Sequence, residues 1–364
     1  MCTFVTYANK RLSGAKRWPA GEVGVYHCWA RCVRRAFLCG TDPLTGRNFE
    51  HRRDWLHQLQ GQLAGLFGVE IAFHAEMGNH AHLVLRTRPD VVQEWSDEDV
   101  VIRWLKIAKL KRGSQDGAWE PTAARVRQEL ADADRVRRFR KRLVSVSWFM
   151  GAVCENIARR ANLEDHCRGA FWESRFSSRD LADESAILAC GIYVDLNQIR
   201  AGEAVTPEES RHTSAYDRIE GLKARLFPSD QVGAAIDMVL RRDRWLCVLT
   251  LDERTESDED RSGGTGRWRA SEKGLLPIRL EDYLELLDWT GRNVREDKRG
   301  SIPAHLAPIL ERLHINANNW LATIREFESG FGRVVGRVQK ISQAAQRLGR
   351  RWLYGMNQAA QAFT

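Results

Sequence analysis

Apolar positions define the first elements. Over residues 51–67, Trp55, Leu56, Leu59, Leu63 and Leu66 recur at helical spacing, which predicts an amphipathic helix ended by Gly68. The period then drops to two. Ile71, Phe73, Ala75 and Met77 alternate with Ala72, His74 and Glu76, which predicts a strand. After a short break at Gly78-Asn79, Ala81, Leu83 and Leu85 continue the apolar face. Helical spacing returns at Ile187, Leu188, Ile192, Leu196 and Ile199. The strand–helix–strand order fits an α+β core.

The C-terminal third is helical in pattern. Tyr283, Leu284, Leu286 and Leu287 open one helix, and Leu306, Ile309, Leu310 and Leu313 mark another. A last helix is expected where Val334, Val338, Ile341, Ala345, Leu348 and Trp352 form a stripe, opposite Arg333, Arg337, Lys340, Arg347 and Arg351. From Gly330 onward there are six basic residues and no acidic one. This face suits DNA contact, and it also reads as the solvated side of a packed terminal helix.

Candidate chemistry sits on the strand and the middle helix. Side chains on a strand alternate between faces, so His80 and His82 project the same way, about 7 Å apart along the chain. Tyr193 and Asn197 are four apart on the helix and share a face. A helix laid on the sheet would bring a phenol and an amide oxygen to two imidazoles. A tyrosine hydroxyl titrates near pH 10 and is a weak nucleophile at neutrality. A metal that polarises a phosphodiester would let it attack. Imidazole and amide-oxygen ligands suit manganese or magnesium. The bland alternatives are a hydrogen-bonded histidine pair and ordinary helix packing.

The chain has 364 residues, 43% hydrophobic and 29% charged, enough to bury a full core and to form two domains. No 18-residue apolar run and no signal-peptide pattern occurs, so a cytoplasmic location with no membrane partner is expected. A net charge of +8 suits a polyanion. Eight cysteines lack paired metal-binding spacing; Cys28, Cys32 and Cys39 cluster, and reduced thiols are expected.

Four runs carry a family resemblance. Met77-Gly78-Asn79-His80-Ala81-His82-Leu83 is similar to Met-Pro-Asn-His-x-His-Leu of the HUH single-tyrosine transposases, in particular their REP-associated branch. Gly169-Ala170-Phe171-Trp172-Glu173-Ser174-Arg175-Phe176 resembles their Gly-x-x-Trp-x-x-Arg-Phe/Tyr run. Tyr193-Val194-Asp195-Leu196-Asn197-Gln198-Ile199-Arg200-Ala201-Gly202 resembles Tyr-Ile-x-x-Asn-Pro-Val-Arg-Ala-Gly. Val25-Tyr26-His27-Cys28-Trp29-Ala30-Arg31, followed by Arg34-Arg35-Ala36-Phe37, resembles the first strand. The runs keep the family's order over roughly residues 20 to 220.

The resemblance implies an antiparallel sheet flanked by helices. It implies His80, His82 and Asn197 as ligands of magnesium or manganese, and Tyr193 as nucleophile. The substrate would be single-stranded DNA with hairpins (REP-like palindromes), cut through a 5′-phosphotyrosine link and rejoined. Gly78 and Gln198 stand where the family has proline.

Basic segments suggest the DNA contacts. Trp104 to Arg112 carries Lys106, Lys109, Lys111 and Arg112, and Arg135 to Arg142 carries Arg137, Arg138 and Arg140. Such runs neutralise phosphates while nearby Trp or Phe stack on bases. Arg159, Arg160, Arg175, Arg337 and Arg351 are further candidates. The expected organisation is a basic arm over 1–20, a catalytic domain over 21–225, an extension with an acidic and glycine-rich linker over 226–266, and a mainly helical basic domain over 267–364. Two other functions compete: a weakened or domesticated hairpin-binding protein of the same fold, and a hydrolase whose His80 and His82 activate water.

Overall fold

The computed structural model describes residues 21–33, 37–43, 45–112, 119–226, 242–250, 268–293, 310–311 and 313–364. The expected arm 1–20, Arg34 and Arg35, the linker over 252–266, and Leu306 and Ile309 lie outside these residues.

The protein is α+β, with a five-stranded mixed sheet flanked by helices. Strands β1 (Val25–Arg31), β2 (Val69–Glu76), β3 (His80–Thr87), β4 (Ser177–Leu181) and β5 (Val334–Val335) lie in the order β2-β3-β1-β4-β5. Every pair is antiparallel except β4 and β5. The wholly antiparallel sheet expected from sequence is therefore corrected by its last strand. Val334 and Val335 are buried, β-branched and flanked by Gly332 and Gly336, which favours extended chain over helix. The expected helix from Val334 to Trp352 is confined to Val338–Arg347, and Trp352 lies beyond it, 67% exposed.

Residues 69–87 form a hairpin, β2 turning back onto β3. A bulge between Ile71 and Phe73 shifts the register. Ile71 therefore packs with Leu83 and Leu85 on one face, while Phe73 and Ala75 pack with Val84 on the other. The single apolar face expected for Ile71, Phe73 and Ala75 is split by this extra residue.

One face of the sheet carries α1 (His51–Ala64), α2 (Pro89–Glu94), α3 (Asp97–Lys111), α4 (Ala123–Leu130), α5 (Ala133–Leu143) and α6 (Val146–Glu164), around a core that includes Leu56, Leu63, Phe67 and Phe149. The other face receives α7 (Glu184–Asp195), in which every residue from Ser185 to Asp195 is buried. A helix that is apolar all round belongs in the interior. Asp183 caps it, its Oδ1 accepting from the Ala186 N–H at 3.0 Å. Close approach depends on Gly191, where a Cβ would meet the Phe73 ring at 2.6 Å.

Beyond α7 the chain makes α8 (Asn197–Arg200) and α9 (Ser214–Leu226). The C-terminal region adds α10 (Leu280–Asn293), α11 (Trp320–Arg325), α12 (Phe327–Gly330), α13 (Val338–Arg347) and α14 (Met356–Ala362). Its buried Tyr283, Trp320, Phe327 and Phe363 share one apolar cluster with α7 and the sheet. Polar anchors fix the join. The Tyr283 hydroxyl donates to Asp195 Oδ2 at 2.6 Å, and Arg86 donates to Glu70 at 2.6 Å and to the Gly274 carbonyl at 2.7 Å. Among the described residues no helix is long and apolar enough to cross a membrane.

Candidate active site

Strand register places the candidate residues on one face. Opposed residues of an antiparallel pair point to the same side, and Trp29 faces His82, Arg31 faces His80, and His27 faces Val84 and Arg179. All of them look toward α7. His80 and His82 thus share a face, with ring centroids 4.9 Å apart. Tyr193 of α7 sits edge-on to His82 at 5.9 Å and to His27 at 6.1 Å. The structure brings Tyr193, His80 and His82 together.

Asn197 is the first residue of α8, separated from the end of α7 by Leu196. Its Nδ2 donates to the Tyr193 carbonyl at 3.0 Å and to the Val194 carbonyl at 3.3 Å, which leaves Oδ1 as its remaining acceptor. Gln198 is buried, and its Nε2 donates to the Glu76 carbonyl at 3.2 Å, tying this turn to the end of β2.

The imidazoles are neutral. Burial, then Arg179, pushes His27 down to about 3. Burial, then Arg31, pushes His80 down to about 4. Burial, then His27 and His80, holds His82 well below the ordinary histidine range. Neutral imidazole is the form that binds metal. His80 Nδ1 lies 2.7 Å from Asn79 Oδ1, so Nδ1 carries the proton and Nε2 offers a lone pair. His82 Nδ1 lies 2.9 Å from His27 Nε2. If His82 donates there, its Nε2 is also a free ligand atom. His27 Nδ1 must then carry a proton, and this buried nitrogen has no hydrogen-bond partner.

Tyr193 is 2% exposed. Its ring stacks on Phe327 at 5.1 Å, and its hydroxyl donates to Glu328 Oε2 at 3.2 Å. Burial, then the Glu328 charge, pushes the phenol above its usual range. Arg200 lies 5.0 Å over the Tyr193 ring. Arg179 lies 5.2 Å over Trp29 and donates to the Phe327 carbonyl at 3.0 Å. Burial pushes the Arg179 guanidinium down. Sequence reasoning missed His27, Arg179, Arg200 and Glu328 as site residues. Strand alternation around His27 was a usable signal; Glu328, 135 residues from Tyr193, had none.

The basic segments are sorted by the fold. Lys109, Arg112 and Arg138 line a cavity of about 1020 Å³ between α3, α4 and α5, with Arg125, Arg135, Arg142, Trp104, Trp119 and Phe139. Lys109 lies 4.9 Å over Trp119, and Arg142 lies 5.1 Å over Trp104. Arg138 also pairs with Asp132 at 3.7 Å, and other basic residues have protein partners too: Lys106 pairs with Glu120, Lys111 with Glu155 at 3.2 Å, Arg137 with Asp134 and Arg140 with Asp97 at 2.7 Å. Arg160 lies 4.0 Å over Trp55, and Arg159 and Arg175 are exposed. Arg337 donates its backbone N–H to Asp183 at 2.7 Å, and Arg351 is exposed past α13.

A second cluster lies across the sheet. Ala75 faces His82, so its neighbours His74 and Glu76 point to the opposite side and do not join the His80–His82 group. They meet His57 of α1 and Asp217 of α9 instead, and ligand atoms of His57, His74 and Asp217 lie within 4.8 Å of one another, a group that could hold a metal ion. Desolvation opposes charge on His74, but Glu76 and Asp217 outweigh it and push His74 up to about 10. Cys28, Cys32 and Cys39 are buried free thiols. No family model matches the chain, and neither a curated protein nor a solved structure matches it.

Proposed function

We propose that the protein nicks and rejoins single-stranded hairpin DNA, with Tyr193 as nucleophile and a magnesium or manganese ion held by His80, His82 and Asn197. The observation that carries this reading is the approach of the Tyr193 ring to 5.9 Å from His82 on the face that His80 also occupies. The His80 Nε2 lone pair, the His82 Nε2 lone pair when His82 donates to His27, and the Asn197 amide oxygen suit an ion with open positions for phosphate. When bound, the ion would polarise the scissile phosphate.

The chain's own groups divide the remaining work. The Tyr193 oxygen bonds to phosphorus, its proton passes to Glu328, and the P–O3′ bond breaks. The departing 3′-oxygen takes a proton from solvent, leaving a 5′-phosphotyrosine. Rejoining runs the same steps backward. Arg179 and Arg200 border the site and suit phosphate charge. The cavity lined by Lys109, Arg112 and Arg138, with Trp104 and Trp119 in its wall, suits single-stranded nucleotides, whose bases stack on aromatic rings.

One observation favours a second reading, a hairpin-binding protein that no longer cuts. Tyr193 is enclosed under Phe327 and shares its hydroxyl with a carboxylate that disfavours phenolate. Incubation with labelled hairpin DNA and manganese separates the two. Metal-dependent nicking supports the enzyme; tight binding of intact DNA supports the second reading.

A further inference from the structure

We propose that His57, His74 and Asp217 form a binding site for a zinc-class divalent cation, independent of His80 and His82. Three separate elements, α1, β2 and α9, converge here. His57 Nε2 lies 2.6 Å and His74 Nε2 3.2 Å from the same atom, Asp217 Oδ2. Two imidazole nitrogens and one carboxylate oxygen are a donor set suited to zinc and neighbouring first-row ions.

The surroundings match a metal site beyond the three ligands. His74 Nδ1 lies 3.0 Å from Glu76 Oε1, the carboxylate–histidine support that orients a ligating imidazole. Gln60 Nε2 donates to that same Glu76 oxygen at 2.8 Å, so the supporting carboxylate is itself fixed. Arg242 Nε donates to Asp217 Oδ1 at 2.6 Å, which occupies the other oxygen and leaves Oδ2 to the histidines. Trp245 packs 5.2 Å from His57 and 5.1 Å from His74, and keeps the cluster out of bulk water. His212 stands beside the group, 6.2 Å from His57 by ring centroids, with a positive φ of 64° and a buried Nδ1 that has no hydrogen-bond partner. Three protein ligands leave the fourth position of a tetrahedral ion to water.

His74 and Asp217 are fully buried and only His57 reaches partway to the surface, so the role is structural. The ion fastens α9 and the segment around Arg242 to the sheet edge.

Cobalt(II) is the probe, titrated into full-length protein freed of metal with a chelator. His80→Ala removes the other candidate site, so it is the background. The expected result is one equivalent of cobalt in the His80→Ala protein, with the visible absorption of a four-coordinate site. Adding His57→Gln abolishes that uptake, and adding Glu76→Gln weakens it roughly 10- to 100-fold. His57 sits at the rim, so His57→Gln leaves the core intact; zinc should raise the melting temperature of His80→Ala and not of the double variant. No cobalt uptake by His80→Ala, or uptake unchanged by His57→Gln, overturns the proposal. Neither outcome depends on whether Tyr193 cuts DNA.

Discussion

The Tyr193 hydroxyl donates to Glu328 Oε2 over 3.2 Å, which joins the last turn of α7 to a carboxylate 135 residues further on. This contact places a proton acceptor on the candidate nucleophile. Replacing Glu328 with Gln keeps the shape and removes the base. Cleavage should fall by roughly 10²- to 10⁴-fold, the range of a general base, with DNA binding unchanged. Single-turnover cleavage measures this. Faster cleavage would instead make Glu328 a latch that holds the phenol.

Acid should destabilise the site. His27 is held down at about 3 and His80 at about 4, against an ordinary 6.5. The unfolded chain therefore takes up protons that the folded chain refuses. Stability is fully present above pH 6.5 and falls as the pH drops from 6.5 toward 3. Chemical denaturation across that window should show the loss, and His27→Gln should flatten it.

The groove makes a prediction about salt. Arg112→Ala and Lys109→Ala should each reduce the slope of log affinity against log salt by about 0.7 for single-stranded DNA, the value for one phosphate contact. Arg137→Ala, whose partner is Asp134, should leave the slope unchanged. Equal slopes in all three would put DNA elsewhere.

Packing of α7 rests on Gly191. A Cβ there would strike the Phe73 ring at 2.6 Å, so Gly191→Ala should cost about 1–3 kcal/mol by urea denaturation. The same shift would move Tyr193 from His82, and cleavage should fall more steeply than stability.

Much of this arrangement was legible in the sequence because it is local. His80 and His82 share a face by strand alternation, and α7 is visible in its apolar spacing. The α+β reading follows from the same periods. Other features depend on distant chain. The bulge at Ala72 changes which face Phe73 occupies, and period-two reading has no means of seeing an extra residue. Val334 fits a helical stripe by spacing, yet Val334 and Val335 pair with β4, where β-branched side chains pack better. Glu328 reaches Tyr193, and Asp217 reaches His57 and His74, only through tertiary folding. The C-terminal residues share a core with α7, so deleting 267–364 would expose Tyr193 and its neighbours as well as removing basic charge.

The most direct test is to find the residue that becomes linked to DNA. Wild-type protein is incubated with labelled hairpin DNA and manganese, digested, and the DNA-linked peptide identified by mass spectrometry. The account predicts a phosphotyrosine link at Tyr193 that is absent from Tyr193→Phe, a variant that still binds the hairpin. A link at any other residue, or an adduct that persists in Tyr193→Phe, would contradict it.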